Sequence, residues 1–143
     1  MLSTYINPST IVIKQALKRR PDVLYFVIGQ THPEDEQYRE SLIALVERLR
    51  LEKRVRFVNQ YLDTPRLISY LQATDIYISP HLNCYQITDD TLAYALGCGR
   101  PIISTPYLYA VEALAEGRGL LAEFENPRSL ARCINLLLEH PAL

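Results

Sequence analysis

Between Gln86 and Phe124 the chain reads QITDDTLAYALGCGRPIISTPYLYAVEALAEGRGLLAEF, and this stretch constrains the fold more than any other. A polar loop opens a helix that runs from about Thr91 to Gly97, and Gly99 and Pro101 stop it. Ile102, Ile103, Ser104 and Thr105 follow as a buried-type strand, and the strand–turn–helix pattern then repeats through Ala110 to a last strand beginning at Leu120. Strands separated by single helices pair side by side in parallel, because only a crossover returns the chain to the same end of the sheet.

The same alternation holds upstream. Asn7 and Pro8 form a cap and first-turn pair, and Ile11, Ile13, Ala16 and Leu17 predict a helix ended by Pro21. The continuous apolar run Val23, Leu24, Tyr25, Phe26, Val27, Ile28 closes on Gly29, as a strand covered on both faces does. Tyr38, Leu42, Leu45, Val46 and Leu49 recur at helical spacing over residues 34–50. Val55 to Val58 reads as a short strand, and Asp63, Thr64 and Pro65 start a helix carrying Leu67, Ile68 and Leu71. Residues 76–79 form a third strand, and Pro127 opens a final helix with Leu130, Ile134, Leu137 and Leu138 along one face. The expectation is one α/β domain over residues 1–143: a doubly wound parallel sheet in a Rossmann-like three-layer arrangement, with about five strands and six helices. Ligands of such sheets bind beyond the carboxyl ends of the strands, which makes the loops after Ile28, Val58, Ser79 and Thr105 the candidate rim.

Composition narrows the function. A net charge of −1 with Lys and Arg scattered among acids gives no electrostatic footprint for nucleic acid. No apolar run is long enough to span a bilayer, and no signal-peptide pattern precedes the first element. Cys84, Cys98 and Cys133 are odd in number and lack metal or redox spacing, so they read as reduced thiols, Cys98 and Cys133 buried. Together these features predict a soluble cytoplasmic protein without a metal centre.

Three motifs carry a family resemblance over most of the chain, from about Pro8 to Pro141. Asp75-Ile76-Tyr77-Ile78-Ser79-Pro80 is similar to a strand pattern "aDvfvlPS". Ala95-Leu96-Gly97-Cys98-Gly99-Arg100-Pro101-Ile102-Ile103 is similar to "AmAcGkPVI", and Gly117-Arg118-Gly119-Leu120-Leu121 to "dg.tGllv". The chain thus resembles the C-terminal, donor-nucleotide domain of a GT-B retaining glycosyltransferase of family 4, or group 1. The resemblance implies a nucleotide-sugar substrate such as a UDP- or GDP-sugar, no cofactor, and hexosyl transfer with retention in an intact relative.

In that family the diphosphate sits at the N-terminus of the helix before "AmAcGkP", where backbone N–H groups and the helix dipole attract anions. The resemblance therefore implies a donor site at Gln86, Ile87, Thr88, Thr91 and Tyr94, with Gly29 on the facing rim. Thr88 and Thr91 offer hydroxyls to a phosphate. Asp89 and Asp90 either oppose a diphosphate or serve only as helix-capping acids. The family's E-x7-E pattern is altered. Gln86 falls on the first glutamate, near the sugar, and Tyr94 on the second, which holds the ribose; each also reads as an ordinary loop or helix-face residue. Tyr85, Tyr107 and Tyr109 lie on rim loops, suited to stacking on a ring or to plain packing. His32 and His81 are rim positions that read first as solvent-exposed loop histidines, and Glu112 reads at least as well as a solvent-facing residue as a site acid. No catalytic residue is assigned.

The resemblance also implies that two things are missing: an N-terminal acceptor domain, and the first strand of the donor domain with its basic loop. A sheet without that central strand leaves unpaired edges. The expectation is closure by residues 1–6 or completion by a second copy of the chain, giving a homo-oligomer. A degenerate, non-catalytic module for self-association or partner docking is the alternative reading.

Overall fold

The computed structural model describes residues 20–142, and the order of elements follows the sequence pattern. β1 (Tyr25–Ile28) leads through a 3-10 turn (Pro33–Asp35) into α1 (Glu36–Arg48). β2 (Val55–Val58), α2 (Thr64–Ala73), β3 (Tyr77–Ser79) and α3 (Asp90–Gly97) come next. β4 (Ile102–Ser104), α4 (Leu108–Ala113), β5 (Leu120–Leu121) and α5 (Pro127–Glu139) complete the series. The helix expected up to Arg20 and the closing segment expected at residues 1–6 fall, apart from Arg20, outside the described residues.

All pairing among the described strands is parallel. β1 pairs with β2, Tyr25 opposite Val55 and Ile28 opposite Val58. β4 lies between β3 and β5, with Tyr77 opposite Ile102 and Ile103 opposite Leu120. The sheet is therefore in two pieces, β1–β2 and β3–β4–β5. Among the described residues no strand joins β1 to β3, and a cleft of about 750 Å³ lies between them, lined by Val23, Leu24 and Phe26 on one side and Ile76 and Ile78 on the other. One apolar core nevertheless runs through both pieces, from Tyr25 and Val55 to Ile103, Leu92 and Ile134. The chain is a Rossmann-like α/β domain.

Local chemistry explains where the helices stop and start. Asp63 caps α2 by accepting the Arg66 N–H at 3.1 Å, and Asn126 caps α5 by accepting the Ser129 N–H at 3.1 Å, with a proline in each first turn. α3 ends in a Schellman motif. Gly99, at φ 66°, donates to Leu96 O, and Arg100 N–H donates to Ala95 O. The Arg100 guanidinium then bonds Cys98 O (3.1 Å) and Thr74 O (3.2 Å), covering carbonyls at the ends of α3 and α2. The Gly-Arg-Pro turn thus has a complete structural role.

Several boundaries differ from expectation. β1 starts at Tyr25 rather than Val23, because Val23 N–H bonds Arg20 O in a turn and its carbonyl accepts from the Arg54 side chain. The expected 120–124 strand pairs only over Leu120 and Leu121, after which Ala122 N–H makes one more bond, to Ser104 O. α4 begins at Leu108, not Ala110, since Leu108 and Tyr109 use their N–H groups on the neighbouring loop. Cys98 and Cys133 are half-buried rather than buried.

Candidate functional site

The carboxyl ends of β3 and β4 meet the N-terminus of α3 under the loop of residues 80–89. That loop is tied down by backbone bonds: Leu108 N–H donates to Cys84 O (3.0 Å) and Tyr109 N–H to Gln86 O (3.1 Å). Inside it, Asn83 Oδ1 accepts the Tyr85 N–H at 3.1 Å, the bond of an Asx turn. Gln86 Nε2 donates to Thr88 O at 2.9 Å.

Beneath the loop lies a buried polar cluster centred on Asp89. The residue is 9% exposed and caps α3, its Oδ1 accepting the Leu92 N–H at 3.0 Å. Its Oδ2 accepts from Tyr107 Oη (2.6 Å) and Ser79 Oγ (3.0 Å), and lies 3.2 Å from His81 Nε2. Ser79 Oγ and Tyr107 Oη are themselves 2.8 Å apart, and the His81 ring meets the Tyr107 ring edge-on, centroids 5.2 Å apart. Ser104 Oγ donates to Ser79 O, and the Thr105 hydroxyl to His81 O. Serine, histidine and aspartate come together here without the wiring of a hydrolytic triad. Ser79 and His81 both address the carboxylate, so no base is aimed at the hydroxyl.

The electrostatics follow from this geometry. Burial pushes the Asp89 carboxyl up. Hydrogen bonds from His81, Tyr107 and the Leu92 N–H, together with the His81 charge, outweigh it and bring the pKa from 3.8 to about 2. Burial, and then the bond to Asp89, push the Tyr107 phenol up, so it stays a neutral donor. For Asp89 the folded pKa lies below the unfolded one. Its contribution is therefore complete above about pH 4 and is lost as pH falls through about 2, an effect of about 2 kcal/mol. Urea unfolding at pH 4 and at pH 2 should show the parent losing about 2 kcal/mol more than Asp89→Asn, which has no carboxyl to protonate. Equal losses in both would remove the assignment.

The structure brings most of the expected donor-site residues together. Gln86, Ile87 and Thr88 follow one another on the loop, Gln86 half-buried and Ile87 and Thr88 exposed; Thr91 lies in the first turn of α3, half-buried. Tyr94 is one turn further along, exposed. Gly29 stands apart from these at the end of β1, its N–H on Val58 O at 3.1 Å. Of the rim aromatics, Tyr85 is 79% exposed, whereas Tyr107 is fully buried and unavailable for stacking on a ligand. His32 is exposed and caps the 3-10 turn through Nδ1. His81, which also reads as a solvent-facing residue in the sequence, turns inward onto Asp89.

Sequence reasoning missed the cluster itself. The signal available was a serine at the carboxyl end of two otherwise apolar strands, Ser79 and Ser104, which the register places opposite each other. Among the described residues no three His, Cys, Asp or Glu side chains form a metal-ligand set, and no helix is long and apolar enough to cross a membrane.

Solved structures share this fold. Anabaena HepE in complex with UDP superposes with a TM-score of 0.82 at 23% identity, over 99% of this chain and 39% of that one. The C-terminal domain of the Francisella tularensis group 1 glycosyl transferase LpcC gives a TM-score of 0.74 at 21% identity, over 98% of this chain and 74% of that one. Sucrose-phosphate synthase from Thermosynechococcus elongatus gives 0.75 at 27% identity, over 94% of this chain and 33% of that one. The chain thus spans about 39% of the HepE chain. No curated protein sequence matches it. The sequence model of the glycosyl transferases group 1 matches residues 10–140, and the chain belongs to that family.

Proposed function

We propose that this chain is the donor half of a glycosyltransferase of the GT-B type, a cytoplasmic domain that binds a nucleotide-sugar at the carboxyl rim of β3 and β4. The observation that carries the reading is the family match over residues 10–140, which includes the loop and helix where the site is built. Support comes from HepE, a neighbour of the same fold whose complexes contain UDP and UDP-glucose. In this chain the Asp89 cap takes up the Leu92 N–H. The amides of Asp90 and Thr91, which have no intrahelical acceptor, stand at the start of α3 for a diphosphate. In this reading Gln86 hydrogen-bonds a sugar hydroxyl, and the Thr88 and Thr91 hydroxyls a phosphate oxygen. Transfer with retention needs an acceptor-binding domain facing this rim, where the leaving diphosphate is stabilised by the same amides.

Calorimetric titration with UDP-, GDP- and ADP-sugars tests the assignment. Saturable heat at sub-millimolar ligand, weakened about tenfold in Gln86→Ala, is expected from one lost polar contact. No heat at millimolar ligand from a folded protein would leave the second reading, a non-catalytic docking module. One observation favours it: the facing edges of β1 and β3 have no partner strand among the described residues.

A further inference from the structure

We propose that the His81–Asp89 pair makes donor binding proton-linked, a nucleotide-sugar being held more tightly when His81 carries a proton. The inference rests on the nucleotide-sugar reading and adds its regulation. Asp89 is the acid buried at the mouth of that site: it caps α3 and lies under the loop that carries Gln86 and Thr88. Its charge is held in place by three side-chain partners and one backbone N–H, so solvent screens it poorly. Of those partners only His81 has a basic ring that can take up a proton, and its Nε2 lies 3.2 Å from the carboxylate. With His81 neutral, a diphosphate approaches a buried negative charge. With His81 protonated, the pair is neutral and that opposition disappears.

The surroundings add no competing titration. Tyr107, at the start of α4, and Tyr77, on β3, both have their phenol pKa pushed up, first by burial, and stay neutral. Ser79 and Ser104 do not ionise. Asp90 is exposed on the first turn of α3, where solvent screens it. The His81 side chain keeps 17% of its surface exposed, enough to exchange its proton with water. By linkage, donor binding must then draw a proton onto the protein.

The test titrates the chain with UDP-glucose, whose doubly esterified diphosphate keeps a constant charge, from pH 5.5 to 8.5, beside His81→Gln. Affinity in the parent should fall about tenfold across the range, the scale of one unit charge about 10 Å away at the effective dielectric of a protein surface, and should be flat in His81→Gln. Near the midpoint the binding heat should change with the ionisation enthalpy of the buffer, showing proton uptake. A flat parent profile, or the same slope in His81→Gln, overturns the proposal and leaves the nucleotide-sugar reading standing. Absence of binding at every pH removes both.

Discussion

Asp89→Ala should unfold about 3 kcal/mol more easily than the parent, with a fall in Tm of about 10 °C, while Asp90→Ala beside it should change stability by less than about 0.5 kcal/mol. Both are acids at the start of one helix, and their surroundings separate them. Removing the Asp89 side chain deletes the α3 cap, worth about 1 kcal/mol, and takes away the acceptor shared by Tyr107, Ser79 and His81. Tyr107 and Ser79 retain each other at 2.8 Å, and His81 reaches some water, which keeps the loss below the sum of three orphaned donors. Asp90 is exposed and contributes only its favourable position in the helix dipole. Asp89→Ser should fall between parent and alanine, since it keeps the cap bond and loses the second oxygen. Thermal unfolding of the four proteins decides the matter; equal effects at positions 89 and 90 would mean that the cluster contributes nothing beyond the cap.

That contrast also marks how far the sequence could be read. Val55 to Val58, Ile102 and Ile103, and the helix from Pro127 were legible because their signals are local: a short apolar run, a stop, a proline that opens the helix. The family motifs were legible for the same reason. Asp89 was recognisable as a cap but not as a buried hub, because Ser79 and Tyr107 reach it across 10 and 18 residues of sequence. No window shows a contact made only when β3, α3 and the start of α4 converge. Tyr107 illustrates the converse. By position it is a rim tyrosine, yet its hydroxyl has found a buried acceptor and its ring is fully covered. The short β5 and the late start of β1 were hidden in a similar way, since each boundary depends on which backbone groups a neighbouring loop has already engaged.

Gly119→Val should cost about 3 kcal/mol, whereas Gly117→Ala two residues earlier should cost about 1 kcal/mol, although both glycines belong to one Gly-Arg-Gly motif. Gly117 lies at φ 76° with open space where a Cβ would stand, so its penalty is only the left-handed backbone. Asparagine tolerates that conformation, and Gly117→Asn should be nearly neutral. Gly119 needs no left-handed backbone, and its constraint is room. A Cβ there would come within 2.9 Å of Leu114 Cδ2 and 3.0 Å of Ile102 O, one a buried side chain and the other the main chain of β4. Leu114 has little space to turn, and Ile102 O sits on the strand that β5 joins at the next residue, where Leu120 pairs with Ile103. A branched side chain at 119 must therefore push β5 away from β4 or displace Leu114 from the core, and neither is small in a close-packed interior. Asparagine rescues position 117 and should fail at 119; chemical denaturation of Gly117→Asn and Gly119→Asn separates the two roles. If both substitutions were tolerated alike, the close approach at Gly119 would have no energetic consequence and the motif would reduce to a single flexible turn.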